Sequence, residues 1–178
     1  MNLRIETPRL ELVAADLALV RADLHDREEL ACRLDTQLEG WPPPLYEVSS
    51  MHWGIDRLTD DPARVGWMGW YWVLRAPRRV AIGMGGFKGR PEVGAVEIGY
   101  SVVPGFQRQG LATEAVTALV GWAFQHVEVT RVLAETLPEL IPSQRVLAKS
   151  GFVFLGEGSE PGVLRYERCR LSSARAGQ

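Results

Sequence analysis

The residues best suited to chemistry lie in one turn, residues 104–113, between an apolar strand pattern and an amphipathic helix pattern. A turn that enters a helix presents unpaired backbone N–H groups beside the positive end of the helix dipole. This arrangement predicts an anion site, and phosphate is the anion that suits it best. Gly110 permits close approach of the backbone to a ligand, and Arg108 supplies a cation for a phosphate group.

Two common phosphate motifs are excluded by the letters of the chain. Gly105 and Gly110 have the glycine spacing of a P-loop, but Leu111 and Ala112 stand where that loop needs Lys and Ser or Thr. Residues 83–86 are rich in glycine, yet they lie inside a strand pattern and open no helix, which excludes a dinucleotide fingerprint. The turn therefore predicts a phosphate-bearing ligand that neither of these motifs would hold.

The strands and helices on either side must position this turn, and the spacing of apolar residues predicts where they lie. The first part of the chain predicts a strand at residues 4–13, a rigid proline loop at 40–44, and helices at 17–24, 27–38 and about 50–58. The middle of the chain predicts an antiparallel meander of three strands at residues 70–75, 80–87 and 93–103.

The last part of the chain predicts a strand–helix–strand unit and a hairpin. A helix at residues 112–126 follows the turn and precedes a strand at 129–135, which predicts one parallel strand pair. A short helix at 142–150 then leads to strands at 152–155 and 164–170. These elements predict an α+β fold, with a mixed, mostly antiparallel central sheet and helices on both faces.

Composition describes one globular domain, predicted at residues 1–171, with a disordered tail at 172–178. A net charge of −2 gives no electrostatic reason to expect nucleic acid or an anionic membrane as partner. We expect no membrane span, because no apolar run is long enough, and no signal peptide. Cys32 and Cys169 lack metal or disulfide spacing, which predicts buried or half-buried free thiols, no metal and a cytoplasmic location.

The turn and its flanks resemble the GNAT family of N-acetyltransferases. Residues 107–112, Gln-Arg-Gln-Gly-Leu-Ala, are similar to the family signature Q/R-x-x-G-x-G/A. Residues 6–10, 97–104 and 145–152 resemble, in the right order, the RimJ/RimL-like branch. The resemblance spans nearly the whole chain. It implies the GNAT fold and direct transfer of an acetyl group from acetyl-CoA to an amine in a ternary complex, without an acyl-enzyme.

The resemblance also implies which residues hold the cosubstrate. In the family, the backbone amides of the turn bind the CoA pyrophosphate, which assigns Gln107, Arg108, Gln109, Gly110, Leu111, Ala112 and Thr113. The strand before the turn splays from its parallel neighbour and binds pantetheine and the acetyl group through its main chain. Val102 and Val103 are assigned to these contacts by position, and Ser143 to a contact with the sulfur.

Glu97 is the candidate general base. It lies six residues before Val103 on the same predicted strand, so the two share a face. In the family a carboxylate near this position often takes the amine proton through water. A solvated or ion-paired strand carboxylate is the structural alternative, and Ser101 on the same face is a weaker catalytic one.

The acid side departs from the family pattern. Many members have Asn where this chain has Leu140, and a general-acid Tyr where it has Leu147. Ser143 matches the family serine, and it either donates to the CoA sulfur or bonds the backbone at the start of its helix. Glu114, in the first helical turn after the Gly-rich segment, is predicted to complement the helix dipole rather than to catalyse.

The acceptor is left open by the sequence. Trp41 in the proline loop is predicted to line the acceptor groove, and Glu39 beside it is predicted to attract a cationic amine. Three functions remain: acetylation of a peptide or protein N-terminus, acetylation of a small amine, and a non-catalytic CoA-binding module. Leu140 and Leu147 keep the third open. The sequence does not decide between a monomer and a homodimer.

Overall fold

The computed structural model describes residues 3–171, so the tail predicted at residues 172–178 lies outside the described residues. One sheet contains eight strands: β1 (Arg4–Glu6), β2 (Leu10–Ala14), β3 (Gly69–Leu74), β4 (Val80–Phe87), β5 (Ala95–Val102), β6 (Arg131–Thr136), β7 (Val153–Glu157) and β8 (Leu164–Cys169). Their spatial order is β1-β2-β3-β4-β5-β6-β8-β7. Every neighbouring pair is antiparallel except β5 and β6, which are parallel.

The helices of the described chain are α1 (Leu17–His25), α2 (Arg27–Leu34), α3 (Val48–Asp60), α4 (Leu111–Ala123) and α5 (Ile141–Lys149). Aspartate caps begin the first two. The Asp16 carboxylate accepts a hydrogen bond from the Leu19 N–H at 2.8 Å, and the Asp26 carboxylate accepts one from the Glu29 N–H at 3.0 Å. The second helix is shorter than predicted, because Asp35 adopts a left-handed conformation after Leu34.

The two faces of the sheet carry separate cores. Leu12 packs with α4, while its neighbour Val13 points to the other face and packs with α1, α2 and α3. Trp70 and Trp72 are fully buried on the α4 face, and Tyr71 between them is buried on the α3 face. The predicted α+β fold with helices on both faces is confirmed.

The predicted first strand is two strands. Residues 4–13 fold back on themselves, so that Arg4 pairs with Val13 and Glu6 with Glu11. Thr7 closes the turn, since its hydroxyl accepts the Leu10 N–H at 2.9 Å. The alternation of apolar and polar residues continues through such a hairpin, so the two-residue period alone predicts a single strand.

Both cysteines lie on the surface. Cys32 on α2 and Cys169 at the end of β8 are exposed, free thiols, so their predicted burial is wrong. Among residues 3–171 no helix combines the length and the apolar character that a membrane span needs.

Candidate active site

The sheet opens between its two parallel strands. β5 and β6 pair only from Ala95 opposite Arg131 to Ile98 opposite Ala134, although β5 continues to Val102 and β6 to Thr136. Beyond this point β5 stays paired with β4, and β6 stays paired with β8. The result is a wedge-shaped opening in the middle of the sheet, with strand backbone on both sides.

Backbone groups of β5 face this opening. The Glu97 carbonyl accepts from the Lys88 N–H at 2.9 Å, and the Val103 N–H donates to the Ile82 carbonyl at 2.8 Å, so the odd-numbered residues of this stretch bond towards β4. By alternation, the main-chain groups of Tyr100 and Val102 point towards β6, where no ladder partner remains. These polar groups need a partner, since buried N–H and C=O groups in proteins are almost always bonded.

The assignment of Val103 to main-chain contacts is corrected by the same pattern. Its N–H is bonded to Ile82, and its carbonyl accepts from the Phe106 N–H at 2.9 Å. The Val102 carbonyl also has a partner, because the Gln107 side-chain amide donates to it at 2.9 Å. The Val102 N–H and both main-chain groups of Tyr100 therefore remain for a ligand, and Tyr100 was missed at the level of sequence.

The Gly-rich turn leads directly into α4. Gly110 is the N-terminal cap residue with φ of 77°, and no side chain bonds the first amides of the helix. The first intrahelical bond runs from the Glu114 N–H to the Gly110 carbonyl at 3.1 Å, which leaves the N–H groups of Leu111, Ala112 and Thr113 for another acceptor. Leu111 has a buried side chain, so any role of this residue in binding is through its main chain.

A second arginine stands at the turn beside Arg108. The Arg9 guanidinium donates to the Gln109 carbonyl at 2.8 Å and to the Glu114 carboxylate at 2.6 Å, and its other nitrogen lies next to Gly110. Glu114 also accepts from the Thr7 hydroxyl at 2.6 Å and from the Arg9 N–H at 2.8 Å. Glu114 thus ties the β1–β2 hairpin to α4, beyond the predicted helix-dipole role.

Ser143 lies in the first turn of α5 and meets Tyr100 across the opening. The Tyr100 hydroxyl is 3.1 Å from Ser143 Oγ, and it also donates to the Ser143 carbonyl at 3.1 Å. Burial raises the pKa of Tyr100 to about 12, and the contact with Ser143 offsets only part of that effect. Tyr100 is therefore a neutral hydroxyl that fixes the orientation of the Ser143 side chain.

Thr136 ends β6 on the opposite side of the opening. Thr136 is 7% exposed, and its buried hydroxyl has no hydrogen-bond partner within the part of the chain that the structure describes. A buried hydroxyl without a partner is costly, so the site is suited to a ligand with a polar group beside the Thr136 hydroxyl. No feature of the sequence singles out this threonine.

The opening leads into a cavity of about 890 Å³. Three walls enclose it: α3 with the segment before it, the end of β6 with the start of α5, and the loop between β7 and β8. Its floor contains the glycines of β3, β4 and β5, namely Gly69, Gly85, Gly86 and Gly99. Added Cβ atoms at Gly85 and Gly86 would lie 2.5 Å from Tyr100 Cβ and 2.1 Å from the Met68 carbonyl oxygen, so these two positions require glycine.

Glu97 lies on the α3 face of β5, in the paired part of the strand just before the opening. Its carboxylate forms an ion pair with Lys88, and the Glu97 side chain is 26% exposed. Lys88 lines the cavity and Glu97 does not. Glu135, a carboxylate that does line the cavity, accepts from Arg165 at 2.6 Å and from the Ser159 hydroxyl at 2.6 Å.

The predicted acceptor residues Trp41 and Glu39 lie elsewhere. Trp41 is 9% exposed and belongs to the core of the α3 face, where its ring nitrogen donates to the buried Asp23 carboxylate at 2.8 Å. It supports the cavity indirectly, because its ring packs edge-on against Tyr46, which does line the cavity. Glu39 pairs with Arg78 at 2.7 Å on the surface. Neither residue lines the cavity.

The described part of the chain offers no cluster of metal-binding side chains. Residues 3–171 contain no group of three or more His, Cys, Asp or Glu side chains arranged to hold an ion. The groups that converge on the opening are instead backbone amides, hydroxyls and two arginines, which are suited to a phosphate-bearing ligand with a polar chain.

Comparison with known proteins defines the class. A family model described as an acetyltransferase (GNAT) domain matches residues 16–153. The chain therefore belongs to the GNAT acetyltransferase family, and the prediction of an acyltransferase is confirmed. It is 27% identical over 158 residues to an uncharacterized N-acetyltransferase, YjdG, of Bacillus subtilis (strain 168), a match that covers 88% of this chain and 93% of that protein.

Solved structures show the same fold. RimL, a ribosomal L7/L12 α-N-protein acetyltransferase in complex with coenzyme A, matches with a TM-score of 0.64 and 21% identity, over 94% of this chain and 98% of its own. The microcin C7 self-immunity acetyltransferase MccE, in complex with acetyl-CoA and AMP, matches with a TM-score of 0.61 and 15% identity, over 92% and 94%. At these identities the likeness concerns the fold, and the predicted GNAT fold is confirmed.

Proposed function

We propose that this protein transfers the acetyl group of acetyl-CoA directly to a primary amine. The observation that carries the proposal is the opening between β5 and β6, because it joins the candidate anion site at α4 to the cavity. The cosubstrate would enter from the turn, and the amine from the cavity. The two would meet at the opening, where proximity converts a reaction between two molecules into one within a complex.

Acetyl-CoA fits the groups that the fold leaves unpaired. The pyrophosphate would accept from the amides of Leu111, Ala112 and Thr113, with Arg9 and Arg108 as nearby cations. The peptide-like pantetheine arm would then run along β5 and exchange hydrogen bonds with the main chain of Tyr100 and Val102. Compared with the sequence-based assignment, this proposal replaces Val103 by Tyr100, adds Arg9, and limits the amide contacts of the turn to Leu111, Ala112 and Thr113.

For the leaving thiolate we propose Ser143 as the donor, positioned by Tyr100. The single proton of Tyr100 can lie on the Ser143 carbonyl or on Ser143 Oγ, and when it lies on Oγ the proton of Ser143 is free for the sulfur. A thiol pKa near 8.5 makes the thiolate a tolerable leaving group, so a hydrogen bond suffices in place of full protonation. The pair supplies a hydroxyl where the family tyrosine is replaced by Leu147, which favours an enzyme over a non-catalytic CoA-binding module.

Deprotonation of the amine is proposed to use Glu97. Because Glu97 does not line the cavity and its ion-pair partner Lys88 does, the proton would travel through a water molecule at the wall. Glu97→Gln is expected to lower kcat while the affinity for acetyl-CoA stays constant. An unaltered kcat across the pH range would remove Glu97 from the mechanism.

The primary test is ligand-dependent stability followed by turnover. At a concentration 100 times its Kd, acetyl-CoA should stabilise the fold by about 2.7 kcal/mol and raise Tm by several degrees, while ATP and NADH at matched concentration should not. Release of free thiol from acetyl-CoA, dependent on an added primary amine, would then establish transfer. Lack of any shift with acetyl-CoA would contradict the proposal at its first step.

A further inference from the structure

The rim of the cavity is apolar and exposed. Leu45, 78% exposed, and Trp53, 43% exposed, form the lip on the α3 side. Leu137, 41% exposed, and Leu140, 37% exposed, form the opposite lip at the start of α5. Large apolar side chains that face each other across a concave site mark a place where an apolar ligand is held.

One side of the interior between these lips is also apolar. The α3 face contributes Val20, Leu58, Met68 and Met84 to the wall, and the floor beneath them is glycine backbone. Methionine side chains adapt their shape to a ligand, and glycines leave space above the sheet. The wall therefore offers contact area for a hydrocarbon body. The polar side chains that also line it are mostly uncharged hydroxyl groups, such as those of Ser49, Ser50 and Ser101.

Charge in the cavity is already paired. Glu135 accepts hydrogen bonds from both Arg165 and Ser159. Burial raises the pKa of Glu135, but these hydrogen bonds outweigh burial and the net pKa is lowered, so Glu135 is a charged carboxylate with its partners in place. Lys88 is paired with Glu97. Glu160, exposed in the loop between β7 and β8, is the remaining acidic side chain of the wall. An acceptor with several ammonium groups would lose solvation here without enough partners.

The α3 lip belongs to the acceptor and not to the cosubstrate. The turn at α4 lies on the other face of the sheet from α3, because α4 packs in one core and α3 in the other. CoA reaches the opening from the α4 face. Trp53 and Leu45 are therefore available to the second substrate.

We propose that the acceptor is a small primary amine whose body is aromatic or aliphatic hydrocarbon and carries no further charge. This inference rests on the proposed acetyl transfer and deepens it by naming the acceptor class. The body of the amine lies between Trp53 and Leu140, and its nitrogen points to the opening beside Tyr100.

Transfer to such an amine balances without another reactant. The amine nitrogen forms a bond with the thioester carbonyl carbon, and the carbon–sulfur bond breaks with its electron pair on sulfur. The nitrogen loses one proton and the thiolate gains one, so the products are the N-acetyl amide and free CoA.

A matched panel of amines tests the class. Pentylamine and putrescine have equal numbers of non-hydrogen atoms, and they differ in whether the far end is methyl or ammonium. Phenethylamine adds an aromatic body, and an alanine-initiated hexapeptide amide represents a polypeptide N-terminus. We expect kcat/KM, measured by thiol release, to be at least tenfold higher for pentylamine and phenethylamine than for putrescine and the peptide.

Variants of the lip locate the effect. Trp53→Ala should raise KM for phenethylamine about tenfold and leave KM for acetyl-CoA unchanged. Trp53→Glu should reduce the ratio of kcat/KM for pentylamine to kcat/KM for putrescine, since it adds a carboxylate where the wild type has none. Val127→Ala is the control, because Val127 is 84% exposed and lies outside the cavity.

Each outcome bears on the inference. Preference for putrescine or for the peptide would overturn the acceptor class and leave acetyl transfer intact. Equal effects of Trp53→Ala and Val127→Ala would also overturn it. Failure of every amine despite stabilisation by acetyl-CoA would contradict acetyl transfer itself, and the acceptor class with it.

Discussion

The two halves of the proposed active site, one for CoA and one for the acceptor, are built from the chain in different ways. The CoA half consists of β5, the turn and α4, which is one continuous stretch from Ala95 to Ala123, and its ligand-facing groups are mostly main chain. The acceptor half combines α3, the floor of β3 and β4, the end of β6 and a loop between β7 and β8. Its character comes from side chains that are distant in sequence.

This difference between main-chain and side-chain groups determines where specificity can change. Main-chain groups at a helix start depend on backbone conformation, so few substitutions leave the CoA half working. Side chains on a separate helix can change without affecting the strand that opens. A fold of this kind keeps its cosubstrate and varies its acceptor, which separates chemistry from specificity.

The largest expected effect concerns the floor of the acceptor half. Gly86→Ala should lower the free energy of unfolding by about 3 kcal/mol, because its Cβ would lie 2.1 Å from the Met68 carbonyl oxygen, which is held by the Phe87 N–H at 3.1 Å. Gly99→Ala is the matched control, since no atom lies within 4 Å of its added Cβ. Urea denaturation measures both. Similar losses in the two variants would show that the floor is not sterically limited to glycine.

The next effect concerns the turn of the CoA half. Gly110→Ala should weaken acetyl-CoA binding about tenfold, because a left-handed conformation costs an alanine about 1–2 kcal/mol and relief of that strain moves the helix amides. Gly105→Ala, with no atom within 4 Å of its added Cβ, is the control. Calorimetric titration gives both affinities. Equal affinity in both variants would argue against a role for the turn geometry.

Predictability follows the same division between the halves. The turn, the helix after it and the parallel pair could be predicted because Gly110 and the apolar period of α4 carry local signals. Tyr100 could not, since its role arises from the end of pairing at Ile98 and from the approach of α5, and both are tertiary features. Its position in β5 does predict an alternating face, which is a signal that could have identified its free main chain.

The acceptor side shows the limit more clearly. Trp41 stands in a proline loop, and such loops are usually exposed, which predicts a groove wall. The buried Asp23 carboxylate on α1 draws its ring inward instead, and no local pattern indicates that contact. Trp53 gave no such signal either, because an aromatic residue on an amphipathic helix is expected in the core.

A smaller effect tests the link between the hairpin and the CoA half. Burial raises the pKa of Glu114, but hydrogen bonds from Thr7 and Arg9 outweigh it, so the net pKa is lowered. The stabilisation is therefore present above the unfolded pKa near 4.3 and is lost as pH falls through the lower folded value. Glu114→Gln should cost about 1 kcal/mol at pH 7 and less below about pH 4. Guanidinium denaturation at several pH values measures the difference. Loss of kcat with unaltered stability would instead indicate a catalytic role.

The smallest effect concerns Glu39, which the sequence predicts in the acceptor half and the structure places on the surface. Its ion pair with Arg78 is exposed on both sides, at 47% and 59% of the side chains. Exposed pairs contribute little, so Glu39→Gln should change the free energy of unfolding by less than about 0.5 kcal/mol and leave KM for every amine unchanged. Trp53→Ala in the same assay shows the size of a true acceptor effect. A rise in KM for cationic amines alone would return Glu39 to the acceptor half, and it would mean that charge outside the cavity wall steers the second substrate.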